Sequence, residues 1–145
     1  MRLLVLGASH DQVSLVRCAQ KLGHEVYVCD INPDAPAMSL ANHPLLIDTS
    51  DLEAVSEAAA LHQVDGLCTM ATNLAPRTVA EVSTRLGLNG ISATSAFNAT
   101  DKATMRRLCH LAGVPIVAGE VTSDGEAALE LCERLGFPVI FKPSD

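Results

Sequence analysis

The residues best suited to bind a ligand lie in a short turn, Gly7–Asp11, that follows the first apolar stretch. Gly7 permits a tight turn, and the amides that open the next helix can hold an anionic group. In an open parallel sheet, ligands bind beyond the carboxyl ends of the strands, at the switch point in the strand order. For the order 3-2-1-4, that point lies between the first and fourth strands. The expected substrate-binding residues are Gly7, Ala8, Ser9, His10, Asp30, Thr72 and Asn73. The alternative interpretation is that Gly7 only shapes the turn.

This turn matches a dinucleotide-binding fingerprint poorly. The fingerprint G-x-G-x-x-G needs three glycines, and Ser9 and Gln12 stand at the second and third of these positions. Asp30 ends the second predicted strand, where an acidic residue can bind a ribose. One glycine and one aspartate are a weak match, so NAD is not the expected ligand.

The elements that must position these residues alternate between helical patterns and short apolar strands. Four helical patterns end at a glycine that suits the left-handed cap conformation: Gly23, Gly87, Gly113 and Gly136. The alternation predicts an α/β fold with a Rossmann-like parallel sheet and helices on both faces. The predicted strands are Arg2–Leu6, Glu25–Asp30, Leu45–Ile47, Asp65–Met70, Ile116–Val121 and Val139–Lys142.

Helix starts are predicted from capping residues. Ser50 with Glu53, and Ser123 with Glu126, have the spacing of a capping box, and Thr100 can cap a third helix. Pro76 suits the first turn of a further helix. The regular alternation of helical and strand patterns changes near residues 92–99. We therefore expect one domain at 1–94 and the truncated start of another at 95–145.

Composition excludes several classes of protein. Hydrophobic residues make up 48% of the chain, the net charge is −7, and no basic face is visible, which argues against nucleic acid and anionic membranes. No apolar run approaches the ~20 residues of a membrane helix, and the first residues do not read as a signal peptide. A cytoplasmic protein is expected. The five cysteines lack C-x-x-C spacing and are interpreted as small core residues rather than a metal site.

Four stretches together resemble one family, the ATP-grasp carboxylate–amine ligases. LLVLGASHDQVSLVRCAQKLGHEVYVCD (3–30) is similar to the opening of their N-terminal domain, and NPDAPAMSLAN (32–42) to the segment that follows. TDKATMRRLCHLAGVP (100–115) resembles the entry into the ATP domain, and GFPVIFKPSD (136–145) the strand that carries Lys-Pro. The carbamoyl-phosphate-synthase-like subgroup, biotin carboxylase and carboxyaminoimidazole ribonucleotide synthetase are the most similar in pattern.

The resemblance implies ATP as a cofactor, with Mg²⁺ in the parent enzyme. Lys102 matches the Asp-Lys position, whose cation contacts an ATP phosphate, and Lys142 matches the Lys-Pro position, whose cation contacts the α-phosphate and the adenine edge. An ammonium beside a phosphate forms a charge-assisted hydrogen bond. The alternative for Lys102 is a solvated lysine in a first helical turn. The family's glycine-rich loop, adenine hinge and metal ligands lie beyond the chain, so no catalytic and no metal-binding residue is assigned.

The resemblance also implies the reaction: ATP-dependent activation of a carboxylate as an acyl phosphate, then attack by an amine or similar nucleophile. Expected partners are a small carboxylate, ATP and a second copy of the chain in a homodimer. The chain ends three residues after the last predicted strand, so we expect an N-terminal fragment of a ligase that is inactive alone. The alternative is a non-catalytic Rossmann-like ligand-binding module or a receiver, a fold of this topology in which Asp48 would accept phosphate and Lys142-Pro143 would end the fifth strand.

Overall fold

The computed structural model describes residues 1–143. The chain divides into two compact units, 1–97 and 98–145. The domain boundary predicted from the sequence lies after residue 94. The substrate-binding and ATP-binding roles given to the two predicted domains stay predictions.

The first unit contains a four-stranded parallel sheet. Its strands are β1 (Arg2–Leu6), β2 (Glu25–Asp30), β3 (His43–Leu46) and β4 (Gly66–Cys68), in the order β3-β2-β1-β4. Both the α/β class and the predicted strand order are confirmed. Because β1 pairs with β2 on one side and β4 on the other, it is the central strand that leads into the switch point.

This strand order excludes a receiver module. Receivers have the order 2-1-3-4-5, in which the first strand lies between the second and the third. Here β1 lies between β2 and β4, and Lys142 lies outside any strand of the described chain. The assumption that a receiver would share this topology is therefore wrong.

The helices cover both faces of the sheet. Leu4 and Leu6 of β1 pack with apolar residues of the second and third helices, and Val5 packs with Val16 and Ala19 of the first. The helices are α1 (His10–Lys21), α2 (Leu52–Leu61), α3 (Ala75–Arg85), α4 (Ala93–Thr100), α5 (Lys102–Leu111) and α6 (Gly125–Leu135), with a 3₁₀ turn at Met38–Leu40. Among the described residues, no helix has the length and apolar character needed to cross a membrane.

The N-caps of three helices lie one residue later than predicted. The true caps are aspartates whose carboxylates accept a hydrogen bond from the third helical amide, at 3.0, 2.7 and 2.9 Å. A carboxylate at this position also complements the positive end of the helix dipole, which a serine or threonine hydroxyl does not. The caps are Asp51, Asp101 and Asp124, and the residues wrongly predicted as caps are Ser50, Thr100 and Ser123.

The second unit lacks the strands predicted from its sequence. Ile116–Val121 and the stretch from Val139 to Lys142 lie in no strand, and Val117 and Ile140 are each 82% exposed. A β-strand needs a hydrogen-bonded partner, and the described part of this unit offers none. Of its described residues, only Thr100 and Cys132 are buried. Both segments have the apolar pattern of a strand, but an apolar pattern alone does not supply the backbone hydrogen bonds of a sheet.

The cysteines differ in their surroundings. Cys29 and Cys132 are buried, Cys68 and Cys109 are half-buried, and all five thiols are free. Burial raises the pKa of the Cys29 thiol to about 12 and that of Cys68 to about 11. Cys18, by contrast, is exposed on α1, so the expectation of a core position is wrong there.

Thiol modification tests this arrangement. At pH 8, thiols with a pKa of about 11 or 12 are almost wholly protonated, and Cys29 is also inaccessible. We expect iodoacetamide to modify Cys18 first, and Cys29 and Cys68 only after unfolding in urea, as mapped by peptide mass spectrometry. Labelling of Cys29 at the rate of Cys18 in the native protein would contradict the burial of β2.

A second prediction concerns the contact between Gly90 and α3. A Cβ at Gly90 would lie 2.8 Å from the Cβ and Oγ of Ser83, which is 1% exposed. We expect Gly90→Ala to lower the free energy of unfolding by roughly 1–3 kcal/mol, because the buried serine has no room to move. The fluorescence of Tyr27, the only tyrosine in a chain without tryptophan, reports unfolding of the first unit in urea.

Gly66→Ala, in the same unit, is the control. A Cβ at Gly66 would lie 3.7 Å from Cδ1 of Leu3, an ordinary van der Waals contact. Its effect on the Tyr27 transition is expected to stay within about 0.5 kcal/mol. Equal effects of the two substitutions would show that the Ser83 contact does not restrict position 90.

Candidate functional site

The candidate crevice lies at the carboxyl edge of the sheet, where β1 and β4 end side by side. The hydroxyl of Thr69 donates to the carbonyl of Leu6 at 2.8 Å, which joins the two strand ends. The turn Gly7–His10 leaves β1 at this edge, and Thr72 and Asn73 follow β4 at the same edge. The structure therefore brings together the two segments that the strand order predicted to face each other. Their role in binding stays a prediction.

Hydrogen bonds hold the turn after β1 to its neighbours. The amide of Gly7 donates to the carbonyl of Cys29 at 2.9 Å, and the carbonyl of Ala8 accepts from the amide of Ala37 at 2.9 Å. Gly7 has φ of +94°, a conformation that favours glycine. Ala8 is fully buried, so the turn is fixed against the sheet before any ligand arrives.

Asp30 anchors the same turn. One carboxylate oxygen accepts from the amide of Ala8 at 2.8 Å, and the other accepts from the amide of Asn32 at 2.9 Å. Charge-assisted bonds of this kind contribute about 1.5–3 kcal/mol each. The structure thus gives Asp30 a positioning role, while its predicted contact with substrate remains untested.

Two of the helices that begin at this edge, α1 and α3, lack side-chain caps. Ser9 is the N-cap of α1, yet its side chain forms no capping bond, and the same is true of Leu74 at the start of α3. The three aspartate-capped helices α2, α5 and α6 contrast with both. Because the first amides of a helix need an acceptor, the start of α1 presents the amides of His10 and Asp11 and a positive dipole end. The Asp11 carboxylate lies in this same first turn, and the amide of Gln12 donates to the carbonyl of Ser9 at 3.2 Å.

Gln12 is a functional candidate absent from the residues predicted by sequence. Its side chain is 2% exposed, donates from Nε2 to the carbonyl of Met70 and accepts at Oε1 from the hydroxyl of Ser9. Gln12 lies on the same face of α1 as the buried Val16 and Ala19. A polar residue on an apolar helix face is the signal by which the sequence could have revealed it.

Ala71 is the second feature that the sequence did not reveal. It follows Met70 and has φ of +53°, which is uncommon for a residue with a Cβ. Such strain persists only where surrounding contacts hold it, and it concentrates at functional sites. Thr72 follows directly, and its hydroxyl accepts from the amide of Leu74 at 3.2 Å.

Two other concavities of the first unit lie away from this edge. One, of about 580 Å³, is at the amino edge of the sheet. Its charged side chains already have partners: the Arg2 guanidinium pairs with Glu25 at 3.4 Å, and the Asp65 carboxylate accepts from the backbone amide of Arg2 at 2.6 Å. The other, of about 490 Å³, lies between α2, α3 and the start of α4. Neither has uncapped helix amides of the kind found at α1, so we place the candidate site at the carboxyl edge.

The two predicted ATP-binding lysines lie in the second unit. Lys102 is the first residue of α5, half-buried, directly after the capping Asp101. Lys142 is exposed in the segment before Pro143. Among the described residues, no group of three histidine, cysteine or acidic side chains is arranged to hold a metal ion.

Comparison with known proteins gives a consistent result. No family model matches the chain. The formate-dependent phosphoribosylglycinamide formyltransferase of Vibrio cholerae serotype O1 is 28% identical over 144 residues, which cover 98% of this chain and 37% of that enzyme. The chain therefore spans little more than a third of the length of this curated relative.

Solved structures share the fold. Glycinamide-RNase-transformylase T from Mycobacterium tuberculosis matches with a TM-score of 0.77 and 22% identity, over 95% of this chain and 40% of that one. N5-carboxyaminoimidazole synthetase from Staphylococcus aureus, solved as its ADP complex, matches with a TM-score of 0.77 and 19% identity, over 99% and 38%. The relatives and structural neighbours are ATP-grasp ligases, and over nearly its whole length this chain is similar to their N-terminal part, as its motifs predict.

Proposed function

We propose that the chain is the N-terminal region of an ATP-dependent ligase that activates a carboxylate as an acyl phosphate for attack by an amine. The first domain binds the substrate, and the segment from residue 95 begins the ATP-binding domain. The main support for the proposal is sequence similarity to the N-terminal part of a formyltransferase over 98% of the chain. The turn fixed at the switch point supports it.

The substrate proposed for the crevice carries a phosphoribosyl group. The Vibrio relative is named for phosphoribosylglycinamide, an amine with a phosphate at one end. The net charge of −7 gives no long-range attraction for such an anion, so local donors must hold it. The uncapped amides of α1, with Ser9 and His10 beside them, are suited to the phosphate. Thr72 and Asn73 supply hydrogen-bonding groups for the sugar or the amine.

The proposed contacts with ATP come from Lys102 and Lys142. Lys102 opens α5, so its ammonium lies near the positive end of that helix. An ATP phosphate at this place would pair with the ammonium and with the helix end together. The exposed Lys142 side chain is accessible to the same ligand.

In the parent enzyme, a bound Mg²⁺ would supply neutralising charge for the phosphates of ATP. The residues described here do not form a site for it, so none is assigned as a metal ligand. This chain contributes binding and orientation: the turn and α1 fix the substrate, and the lysines hold ATP.

His10→Asp tests the anion site. The added carboxylate stabilises the start of α1 by about 0.3–1 kcal/mol, but it repels a phosphate at the same place. We expect roughly tenfold weaker binding of phosphoribosylglycinamide, equivalent to about 1.4 kcal/mol, in an NMR titration of ¹⁵N-labelled protein. Ser14→Asp adds the same charge one turn along α1 and should bind within about twofold of the native protein. Unchanged affinity in His10→Asp would remove α1 from the site.

The chain alone should release no phosphate from ATP. It lacks an assigned metal site, and we expect ATP to bind no tighter than about millimolar, on the order of −4 kcal/mol. Purified protein is incubated with Mg-ATP and a carboxylate, and phosphate is measured. Steady release that survives repurification and disappears in Lys142→Ala, but not in Lys21→Ala on the exposed end of α1, would show a catalytic centre within this chain.

A further inference from the structure

We propose that Gln12 is the positioning residue of the crevice: its buried amide ties the turn after β1 to the loop after β4 and sets their separation. The ligand part of this inference rests on the proposed function. The structural part rests on the contacts of Gln12 alone.

The contacts of Gln12 reach two separate segments, the turn after β1 and the loop after β4. Nε2 donates to the carbonyl of Met70 beyond β4, and Oε1 accepts from the hydroxyl of Ser9 in the turn. The Cδ and Nε2 atoms also lie 3.5 Å from where a Cβ on Gly7 would stand. With 2% exposure, the amide has no access to water that could replace these bonds. Loss of the side chain therefore leaves the loop after β4 without its link to α1.

The bond to Met70 also bears on the strained residue that follows. The Met70 carbonyl belongs to the peptide that joins Met70 to Ala71, and the orientation of this peptide is coupled to the φ of +53° at Ala71. Gln12 thus fixes the orientation of the Met70–Ala71 peptide, which directs the chain toward Thr72 and Asn73. This explains how a residue with a Cβ remains in a left-handed conformation at the edge of the crevice.

Position 12 is where a dinucleotide-binding turn has its third glycine, which allows close packing of helix on strand. Here a long side chain occupies that position and is fully engaged in bridging. The two loops are therefore held by a side-chain link rather than by close backbone packing. The crevice is built for a ligand that meets both loops at a fixed spacing.

The test compares two glutamines on the same helix. Gln12→Met keeps the approximate length of the side chain and removes both hydrogen bonds. Gln20→Met is the control, because the Gln20 amide also donates to a backbone carbonyl, that of Leu40 at 2.7 Å, away from the crevice. If Gln12→Met does not fold, Gln12→Glu, which keeps the shape and loses the amide donor, carries the same comparison.

Two readouts separate positioning from simple stability. In the ligand-free ¹H–¹⁵N spectrum, Gln12→Met is expected to shift the amide signals of Ala71, Thr72 and Asn73, whereas Gln20→Met leaves them in place. Ribose 5-phosphate is the binding probe. Gln12→Met is expected to bind it roughly tenfold more weakly than the native protein does, and Gln20→Met is expected to bind it with the native affinity. Both variants are compared below their unfolding transitions, where each is fully folded.

The outcomes distinguish this inference from the proposed function. Unchanged signals for Ala71–Asn73 in Gln12→Met would overturn the positioning role, whatever the probe does. Native protein that fails to bind ribose 5-phosphate or phosphoribosylglycinamide would overturn the proposed function, while the ligand-free signals still decide the role of Gln12. Shifted signals together with weakened probe binding, in Gln12→Met alone, support both.

Discussion

The crevice depends on the way the turn after β1 is held at the carboxyl edge of the sheet. The amide of Ala8 donates to the carboxylate of Asp30 at 2.8 Å, and the amide of Gly7 donates to the end of β2. Together these bonds join the turn to the neighbouring strand. On the other side, Gln12 joins it to the loop after β4. A turn fixed on both sides cannot move to adapt to a ligand. A ligand must therefore match the existing shape of the turn.

The distribution of charge fits this arrangement. The chain is acidic overall, and at the amino edge of the sheet Arg2, Glu25 and His43 satisfy one another. The hydrogen bond from His43 lowers the pKa of the Glu25 carboxyl, which favours the carboxylate that pairs with Arg2. At the carboxyl edge, by contrast, α1 and α3 begin without side-chain caps. Under the proposed function, an anionic ligand would therefore be attracted by local donors at one edge and not by the net charge of the molecule.

Much of the first unit could be predicted from the sequence, because alternation of apolar strands with capped helices constrains the topology strongly. The strand order and the shared edge of the two loops follow from it. The second unit departs from expectation at Ile116–Val121 and at Val139–Lys142, since an apolar extended segment forms a strand only with a partner. Gln12 and Ala71 were missed for another reason. The sequence marks Gln12 as a polar residue on an apolar helix face, but the groups that its amide bridges, and the left-handed conformation of Ala71, depend on tertiary contacts. The roles of Lys102 and Lys142 rest on resemblance.

The most direct test of the central claim is a crystal structure of the chain with ribose 5-phosphate. The account predicts the phosphate at hydrogen-bond distance, about 2.7–3.2 Å, from the first amides of α1, with the sugar toward Thr72 and Asn73. A phosphate bound instead beside Arg2 at the amino edge of the sheet, or against α2 and α3, would contradict the assignment of the substrate site.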